Sequence, residues 1–312
     1  MFKYTIKRIL QTVIVLLGVT LVTFIAVNVV PGDPVAVMLQ KKADAATIER
    51  IRNQMGLNDP LPAQYVRFVR NAVLGDFGNS FFQKKPVIEL IVKGFAVTGN
   101  LAVWVLLFAI TLGIIMGTLS AVFHGKLADR VIMLISTLGM AAPSFWLAII
   151  LQLLFGLTLK WLPISGLRQP TAYIMPSVAL GMIYAASIAR LVRTNILDAL
   201  TQDYIRTARS KGVGEFFIVM KHAFKNAAIP ILTYLGTLIK SILGGSVLVE
   251  TIFSINGLGK LLVEAIMKRD IPIIQGCTVY IAVVFVIANL LIDLLYGLFD
   301  PRIRVAGVAR GL

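Results

Sequence analysis

Long apolar runs constrain this chain more than any other feature of its sequence. Six of them alternate with polar segments, and each is long enough to cross about 30 Å of hydrocarbon as a helix. Because backbone N–H and C=O groups in lipid must find partners inside the protein, such runs form helices rather than loops or open sheets. The predicted spans are residues 9–30, 97–123, 131–159, 172–189, 227–249 and 273–299.

Composition agrees with a membrane protein. Of the 312 residues, 58% are hydrophobic and 14% are charged, against about half and a quarter in soluble domains. The net charge of +15 is spread over the polar segments, so lipid headgroups and cytoplasmic proteins, rather than nucleic acid, are the expected counter-charges. One cysteine, Cys277, and two distant histidines supply neither a disulfide framework nor a metal site.

The predicted fold class is an all-α integral membrane protein with six transmembrane helices. Residues 1–30 form a cytoplasmic N-terminus and the first span, and residues 31–96 form an external, water-exposed insert with two helices. Residues 97–304 form a five-helix core with a cytoplasmic loop at about 190–227, and residues 305–312 form a cytoplasmic tail. An even span count puts both termini on one side, and the basic excess of the loop favours the cytoplasm.

The loop at 190–227 carries seven Lys/Arg against three acids. Ile205, Ala208, Phe216, Val219 and Ala223 fall at helical spacing, which predicts one apolar and one basic face. A glycine at position 212 can take a positive φ, so one short helix can end there and a second can begin at an angle. The alternative interpretation is a membrane-surface helix that only fixes topology.

The string Asp203-Tyr-Ile-Arg-Thr-Ala-Arg-Ser-Lys-Gly212, followed by Asn226-Ala-Ala-Ile-Pro230, resembles the cytoplasmic loop of ABC-importer permeases of the dipeptide/oligopeptide/nickel family. The segments 31–34 and 75–80 are also similar to that family, whereas Arg206 stands where many members have Glu. The resemblance implies that this is the coupling-helix loop, which contacts an ATPase. Its candidate coupling residues are Asp203, Tyr204, Arg206, Thr207, Ala208, Lys211, Gly212 and Phe216.

The same resemblance implies a set of partners. It predicts a second homologous permease subunit (a heterodimer), two cytoplasmic ABC ATPase subunits and an extracytoplasmic solute-binding protein, all acting at the bacterial cytoplasmic (inner) membrane. The implied substrates are di- or oligopeptides, and closure of the ATPases would drive the spans between inward-open and outward-open states. No cofactor of its own is implied, because the partner subunits bind the ATP.

Catalytic motifs are absent from the sequence. The nearest approach to an ATP-binding Walker A loop, Gly257-Leu-Gly-Lys260, lacks the first glycine and is followed by Leu261. A transport subunit rather than an enzyme is therefore expected, with no catalytic and no metal-binding residues. Two rivals stay open: a nickel or metal-chelate permease of the same family, and an ion-gradient-driven secondary transporter, which would more typically show repeated spans and intramembrane acid relays.

Some residues of the spans and outer loops are candidates for contact with the substrate or its carrier. Lys240 falls near the middle of a span, where a lysine costs about 2.5–3.5 kcal/mol, so it should face protein or water. Pro143-Ser144 interrupts the third span, and Gly113-x-x-x-Gly117 permits close helix packing. The translocation-path candidates are Pro143, Ser144, Lys240, Gly244, Gly245 and Ser246. The external candidates, facing the binding protein, are Glu250, Asn256, Gly257, Gly259 and Asp270.

Overall fold

The structure is a computed structural model that describes residues 2–29, 35, 44–54 and 56–299. The side chains of residues 2–9, 29, 54, 225–229, 232–233, 235, 239–240, 243 and 291–299 are outside that description. The predictions for segments 31–34 and 305–312 and for the side chain of Lys240 therefore lie outside the described residues.

Helices make up most of the described chain. In order they are α1 (Phe2–Val29), α2 (Ala45–Gln54), α3 (Leu61–Val73), α4 (Val87–Val122), α5 (Leu127–Ala141), α6 (Ser144–Leu151), α7 (Ile174–Leu200), α8 (Asp203–Ser210), α9 (Glu215–Phe217), α10 (Phe224–Ile252), α11 (Leu258–Lys268) and α12 (Ile271–Phe299). Two π-helical segments, Gln152–Thr158 and Ile218–Ala223, continue α6 and α9, and a 3-10 turn, Pro170–Tyr173, leads into α7. The predicted all-α class is confirmed.

Among the described residues, four helices are long and apolar enough to cross a membrane, and a sharply bent pair makes up to five. They are Leu10–Asn28, Val87–Val122, Pro170–Leu200, Ile271–Leu290 and the pair Leu127–Ala141 with Ser144–Thr158. Helix α10 covers the fifth predicted span as 29 residues, although several of its side chains are outside the description. A multi-pass membrane architecture is therefore clear, and the count of six stays a prediction.

The predicted interruption at Pro143 is a corner between two helices. Helix α5 ends at Ala141, α6 begins at Ser144, and the two are bent by 104°. Proline disfavours a helical conformation in the residue before it, and Ala142 is accordingly extended with ψ 124°. The third predicted span is thus two short helices rather than one kinked helix.

The chain divides into two compact units, of which residues 97–259 form one. Helix α7 is its centre and packs against α5, α6 and α10. A Cβ on Gly113 would lie 2.6 Å from the Ile188 side chain, and one on Gly117 would lie 2.5 Å from the Ala189 carbonyl. The close packing predicted for the Gly113-x-x-x-Gly117 pair is therefore confirmed, and its partner is α7.

The other unit contains the described residues of 1–96 and 260–312. In it α1 packs against α12 and α3, and the Phe24 ring contacts the rings of Tyr65 and Phe68 at 5.5 and 6.2 Å between centroids. Two helices were predicted in the insert, and its described residues contain two before α4: α2 begins at Ala45 and α3 begins at Leu61.

Candidate functional site

The backbone of the predicted coupling loop consists of two short helices joined at Gly212. Helix α8 begins after Gln202, whose carbonyl accepts the Ile205 N–H at 3.0 Å, and the acidic Asp203 complements the helix dipole in the first turn. At the other end, Gly212 has a φ of +76°, and the Val213 N–H returns to the Ala208 carbonyl at 3.2 Å. The turn predicted at Gly212 is therefore confirmed.

Conformation, not space, requires a glycine at position 212. No atom lies within 4 Å of the position that a Cβ would occupy there. A side chain would thus meet no neighbour, and the positive φ alone disfavours L-residues.

The underside of the loop is buried against its own unit. Ile205, Ala208 and Ile218 form an apolar cluster with Leu200 and Val213. The side chains of Val219 and Ala223 are buried as well, in the core that surrounds α7. Four of the five residues predicted to share an apolar face therefore do face inward, where they seat the loop on α7 instead of meeting a partner.

Phe216 is the exception, and its predicted place on that face is wrong. Its side chain is 70% exposed and meets Phe217, itself 62% exposed, edge to face at 5.8 Å between ring centroids. Because the chain leaves the helical path at Gly212, a spacing counted across the turn does not determine which later side chains face inward: Val219 and Ala223 do, and Phe216 does not. Tyr204 and Met220 are also exposed, at 41% and 46%, so aromatic and methionine side chains contribute to the outer surface of the loop.

A bidentate ion pair closes the turn. Arg209 Nε and NH2 donate to the two carboxylate oxygens of Glu215 at 2.7 and 3.2 Å, which joins α8 to α9. The hydrogen bond and charge of Arg209 hold the pKa of Glu215 below its ordinary value of 4.5. The pair is therefore intact at neutral pH, and its contribution to folding is lost only as the pH falls below that value. Opposite charges on both sides of a glycine turn were the available signal, but sequence analysis did not pair them.

The other predicted coupling residues lie on the outer side of the loop. Arg206 is exposed and lies 3.6 Å from the Asp203 carboxylate. The Thr207 hydroxyl donates to the Asp203 carbonyl at 3.1 Å, and Lys211 is exposed at the end of α8. Ala208 alone among them is buried, so it serves as packing below the loop.

A buried carboxylate fixes the end of α7 that leads into this loop. Asp129, 4% exposed, accepts hydrogen bonds from Arg193 Nε at 2.8 Å and NH2 at 2.9 Å, from the Gly125 N–H at 3.0 Å and from the Ser120 hydroxyl. His124 Nδ1 lies 3.0 Å from Arg193 NH2. Sequence analysis missed this cluster, because Arg193 is 64 residues away from its partner Asp129.

The translocation-path candidates lie in two places within the 97–259 unit. Pro143 and Ser144 stand at the corner between α5 and α6. On α10, Gly244 is exposed with open space around it, Gly245 lies 3.3 Å from Leu180 of α7, and Ser246 is buried. Their role in transport stays a prediction.

Glu250 and two glycines, Gly257 and Gly259, shape the backbone of the loop that joins α10 to α11. The Glu250 carboxylate is fully buried and accepts the Thr98 hydroxyl at 2.7 Å, and Thr98 in turn accepts the Leu258 N–H at 2.8 Å. A Cβ on Gly257 would lie 2.5 Å from that carboxylate, so only glycine fits there. Gly259 is packed as tightly, and the Asn256 side chain at the tip is exposed.

Asp270 plays a similar part in the other unit. It is 2% exposed and accepts the Ser80 hydroxyl at 2.5 Å and the N–H groups of Phe81 and Phe82 at 3.2 and 3.4 Å. Glu250 and Asp270, both predicted to face outward, therefore hold loops in place from beneath.

Comparison with known proteins covers nearly the whole chain. The family described as binding-protein-dependent transport system inner membrane component matches residues 109–305, and its N-terminal membrane-component family matches residues 1–102.

Curated relatives match over nearly their full length. The chain is 40% identical to the glutathione transport system permease protein GsiC of Pectobacterium atrosepticum, over 97% of this chain and 99% of that protein. It is 39% identical to a putative peptide transport system permease protein of Brucella abortus, over 96% and 98% of the two chains. A crystal structure of an amino acid ABC transporter with histidines shares the fold, with a TM-score of 0.50 and 21% identity over 69% of this chain and 94% of that one. The chain therefore belongs to the family of binding-protein-dependent transport system inner membrane components, the permease subunits of ABC importers.

Proposed function

We propose that this permease imports short peptides or peptide-like molecules, and that the 190–227 loop docks onto a cytoplasmic ATPase. The names of the relatives, which are peptide and glutathione permeases, support the substrate class. The observation that carries the docking proposal is the exposed group of Tyr204, Phe216, Phe217 and Met220 on a loop whose backbone is fixed from below.

Exposed aromatic side chains of this size are characteristic of protein interfaces. Aromatic and methionine side chains are enriched in the cores of such interfaces, and a large part of the binding energy comes from a few of them. Because the cluster below the loop and the Arg209–Glu215 pair preform its shape, little ordering cost remains when a partner binds. Movement of the ATPase would then reach α7 directly, since α8 rests on Leu200 at its end.

Replacing the exposed rings tests the docking proposal. Phe216→Ser and Phe217→Ser should reduce co-purification of the ATPase subunits and peptide uptake together, while the amount of permease in the membrane stays near normal because neither ring is buried. Gln202→Ser, at an exposed position just before α8 and outside the set of candidate coupling residues, is the matched control. Normal ATPase recovery and uptake in both phenylalanine variants would refute the docking role.

We further propose six spans, with both termini and Gly212 in the cytoplasm and Asn256 outside. Helix α10 supplies the span that the five candidates lack, since its 29 residues extend over about 43 Å. Single cysteines at Gly212 and Asn256, in a chain whose Cys277 is replaced, should react with an impermeant reagent from opposite faces. Reaction of Asn256→Cys from the cytoplasmic face alone would contradict this topology.

The remaining partners follow from the same proposal. A second permease subunit completes the path, two ATPases bind the ATP, and a solute-binding protein delivers the substrate to the outer loop around Asn256. Uptake of labelled dipeptide, glutathione and a nickel chelate by the reconstituted complex, each with its binding protein, tests the substrate. Uptake of the nickel chelate alone would overturn the peptide assignment.

A further inference from the structure

Helix α3, in the predicted insert, has an apolar surface wider than its contact with α1. Tyr65 and Phe68 face α1, where they meet Phe24. Next to them around the helix, Val66 and Val73 are 65% and 81% exposed. Together with Val69 they fall at spacings of three, four and seven, which form one stripe on a helix. Part of the apolar side of α3 therefore has no cover within its unit.

The contact with α1 places α3 at membrane depth. The Tyr65 hydroxyl lies 3.1 Å from the Thr20 hydroxyl and donates to the Leu17 carbonyl at 3.3 Å. The apolar span of α1 ends at Asn28, and at 1.5 Å per residue Thr20 lies about 12 Å inside that end. Phe24, on which Phe68 stacks, lies about 6 Å inside it. Helix α3 thus runs alongside the second half of the span instead of standing in water beyond it.

The exposed apolar surface of α1 starts at the same contact. Leu17, whose carbonyl accepts from Tyr65, begins a row with Leu21 and Ile25, and their side chains are 46%, 44% and 49% exposed. On a membrane-spanning helix an exposed aliphatic row of this kind faces acyl chains. The surface of α1 that meets lipid is therefore adjacent to the helix that carries the uncovered valine stripe.

The opposite side of α3 has its own polar surroundings. Gln64, Arg67 and Asn71 line a cleft of about 760 Å³, together with further polar side chains of the same unit: Arg52, Asn58, Asp76, Asn79 and Gln275. Arg67 also pairs with Asp59. The same cleft is also lined by apolar side chains such as Phe24 and Phe68, so its lining is mixed. An open cleft of mixed polarity on one side and an uncovered apolar stripe on the other fit a helix at an interface between water and lipid.

We propose that α3 is a lipid-binding helix that lies in the membrane interface, with Val66, Val69 and Val73 among the acyl chains. Helices of this class bury their apolar face about 5–10 Å into the boundary between headgroups and chains, which agrees with the depth of the Phe24 contact. Arg70, beyond Val66 around the helix and exposed, is placed to meet lipid phosphates. The choice of the outer leaflet rests on the orientation proposed above.

Depth-dependent quenching tests the lipid contact in the assembled importer. An environment-sensitive fluorophore is attached to Val66→Cys or Val73→Cys, in a chain with Cys277→Ala, and the complex is reconstituted into phosphatidylcholine and phosphatidylglycerol vesicles. Ala63→Cys, exposed on the polar side of the same helix, is the matched control. We expect lipid-borne doxyl groups to quench positions 66 and 73 several-fold more than position 63, and aqueous iodide to show the reverse order.

Two results would overturn the proposal. If iodide quenches positions 66 and 73 as strongly as position 63, α3 stands in water, and if neither quencher reaches them, a protein covers the stripe. An impermeant thiol reagent applied to intact spheroplasts addresses the leaflet separately. Ala63→Cys should react from outside, and reaction from the cytoplasmic face alone would overturn the orientation while the doxyl result still reports the lipid contact.

Discussion

Gly212 shapes the turn of the proposed coupling loop through its positive φ angle and not through the space around it. Its Cβ position is open, so the substitution that matters is one that resists positive φ and not one that is merely large. Asparagine tolerates this region several-fold better than most residues, whereas a β-branched residue is a genuine outlier there. Shape and volume can therefore be separated experimentally at this position.

The first prediction compares Gly212→Val with Gly212→Asn. Valine at a φ of +76° costs about 1–2 kcal/mol or more, so α8 and α9 should meet at another angle and move Phe216 relative to Tyr204. Gly212→Val should abolish uptake and lower ATPase stimulation, with near-normal amounts in the membrane. Gly212→Asn should keep most of both activities. Uptake and ATP hydrolysis are measured on the same reconstituted complexes, and wild-type values for Gly212→Val would refute the prediction.

Asp270 is a second residue that holds a distant part of the chain, the segment of residues 80–82. It accepts the buried Phe81 N–H and the partly buried Phe82 N–H as well as the Ser80 hydroxyl. An unsatisfied buried donor costs about 1–3 kcal/mol, whereas an ordinary hydrogen bond contributes about 1 kcal/mol.

The second prediction therefore ranks three variants. Asp270→Ala should raise hydrogen exchange at the Phe81 and Phe82 amides strongly, Ser80→Ala should raise it weakly, and Asp270→Asn should lie between them because it keeps an acceptor. Hydrogen exchange with mass spectrometry on the purified importer measures this order. Equal increases in exchange in Ser80→Ala and Asp270→Ala would show that the hydrogen bonds from the two amides to Asp270 contribute little to their protection.

At the scale of elements, the contact between α4 and α7 depends on the absence of two side chains. Gly113 and Gly117 bring the α4 backbone against Ile188, Ala189 and Val192. Gly99 lies on the same helix with nothing within 4 Å of its Cβ position. All three positions are glycines inside one helix, so they have the same helix propensity. Gly113 and Gly117 are packed against α7, whereas Gly99 is not.

The third prediction uses that difference. Gly117→Ala should destabilise the purified permease by about 1–3 kcal/mol, because the added methyl forces α4 away from α7. Gly99→Ala should be neutral or slightly stabilising, since alanine is the better helix former. Thermal unfolding in detergent compares the two, and a loss of stability in Gly99→Ala equal to that in Gly117→Ala would contradict the packing argument.

Local features of this chain were predictable from its sequence, and features that depend on distant residues were not. The helix break at Pro143, the turn at Gly212 and the close approach at Gly117 each depend on the conformational or steric properties of the residue itself. Phe216 was misplaced because a helical spacing was carried across the Gly212 turn. The Asp129–Arg193 pair joins residues 64 apart, and no spacing rule relates them. The buried roles of Glu250 and Asp270 likewise come from tertiary contacts.

At the scale of the whole molecule, α7 differs from the other candidate spans. In its most apolar window 61% of the residues are buried, against 17–33% for the other three uninterrupted candidates. The remaining spans therefore leave much of their surface to lipid or to the proposed second permease. Since α7 also ends in the coupling loop, contacts that hold α7 should affect both assembly and transport.

The fourth prediction concerns the Asp129–Arg193 pair. Asp129→Ala or Arg193→Ala alone should cost about 3 kcal/mol, since each leaves a charge without its partner at a largely buried site. The double variant should be less destabilised than the sum of the two, because no unpaired charge remains. The free energies of unfolding of the wild type, the two single variants and the double variant form a double-mutant cycle. If the destabilisation of the double variant equals the sum of the two single effects, the two side chains are not energetically coupled.

The same pair has a consequence for how the protein is made. Arg193 leaves the ribosome 64 residues after Asp129, which at about 5–20 residues per second is a delay of about 3–13 s. Throughout that interval helix α5 carries a carboxylate whose permanent cation has not yet been synthesised. Helices α5 and α6 both pack against α7, so we expect their packing to be completed only when the end of α7 arrives. A nascent chain arrested before Arg193 should accordingly remain exposed to membrane proteases, and one arrested after α8 should become resistant.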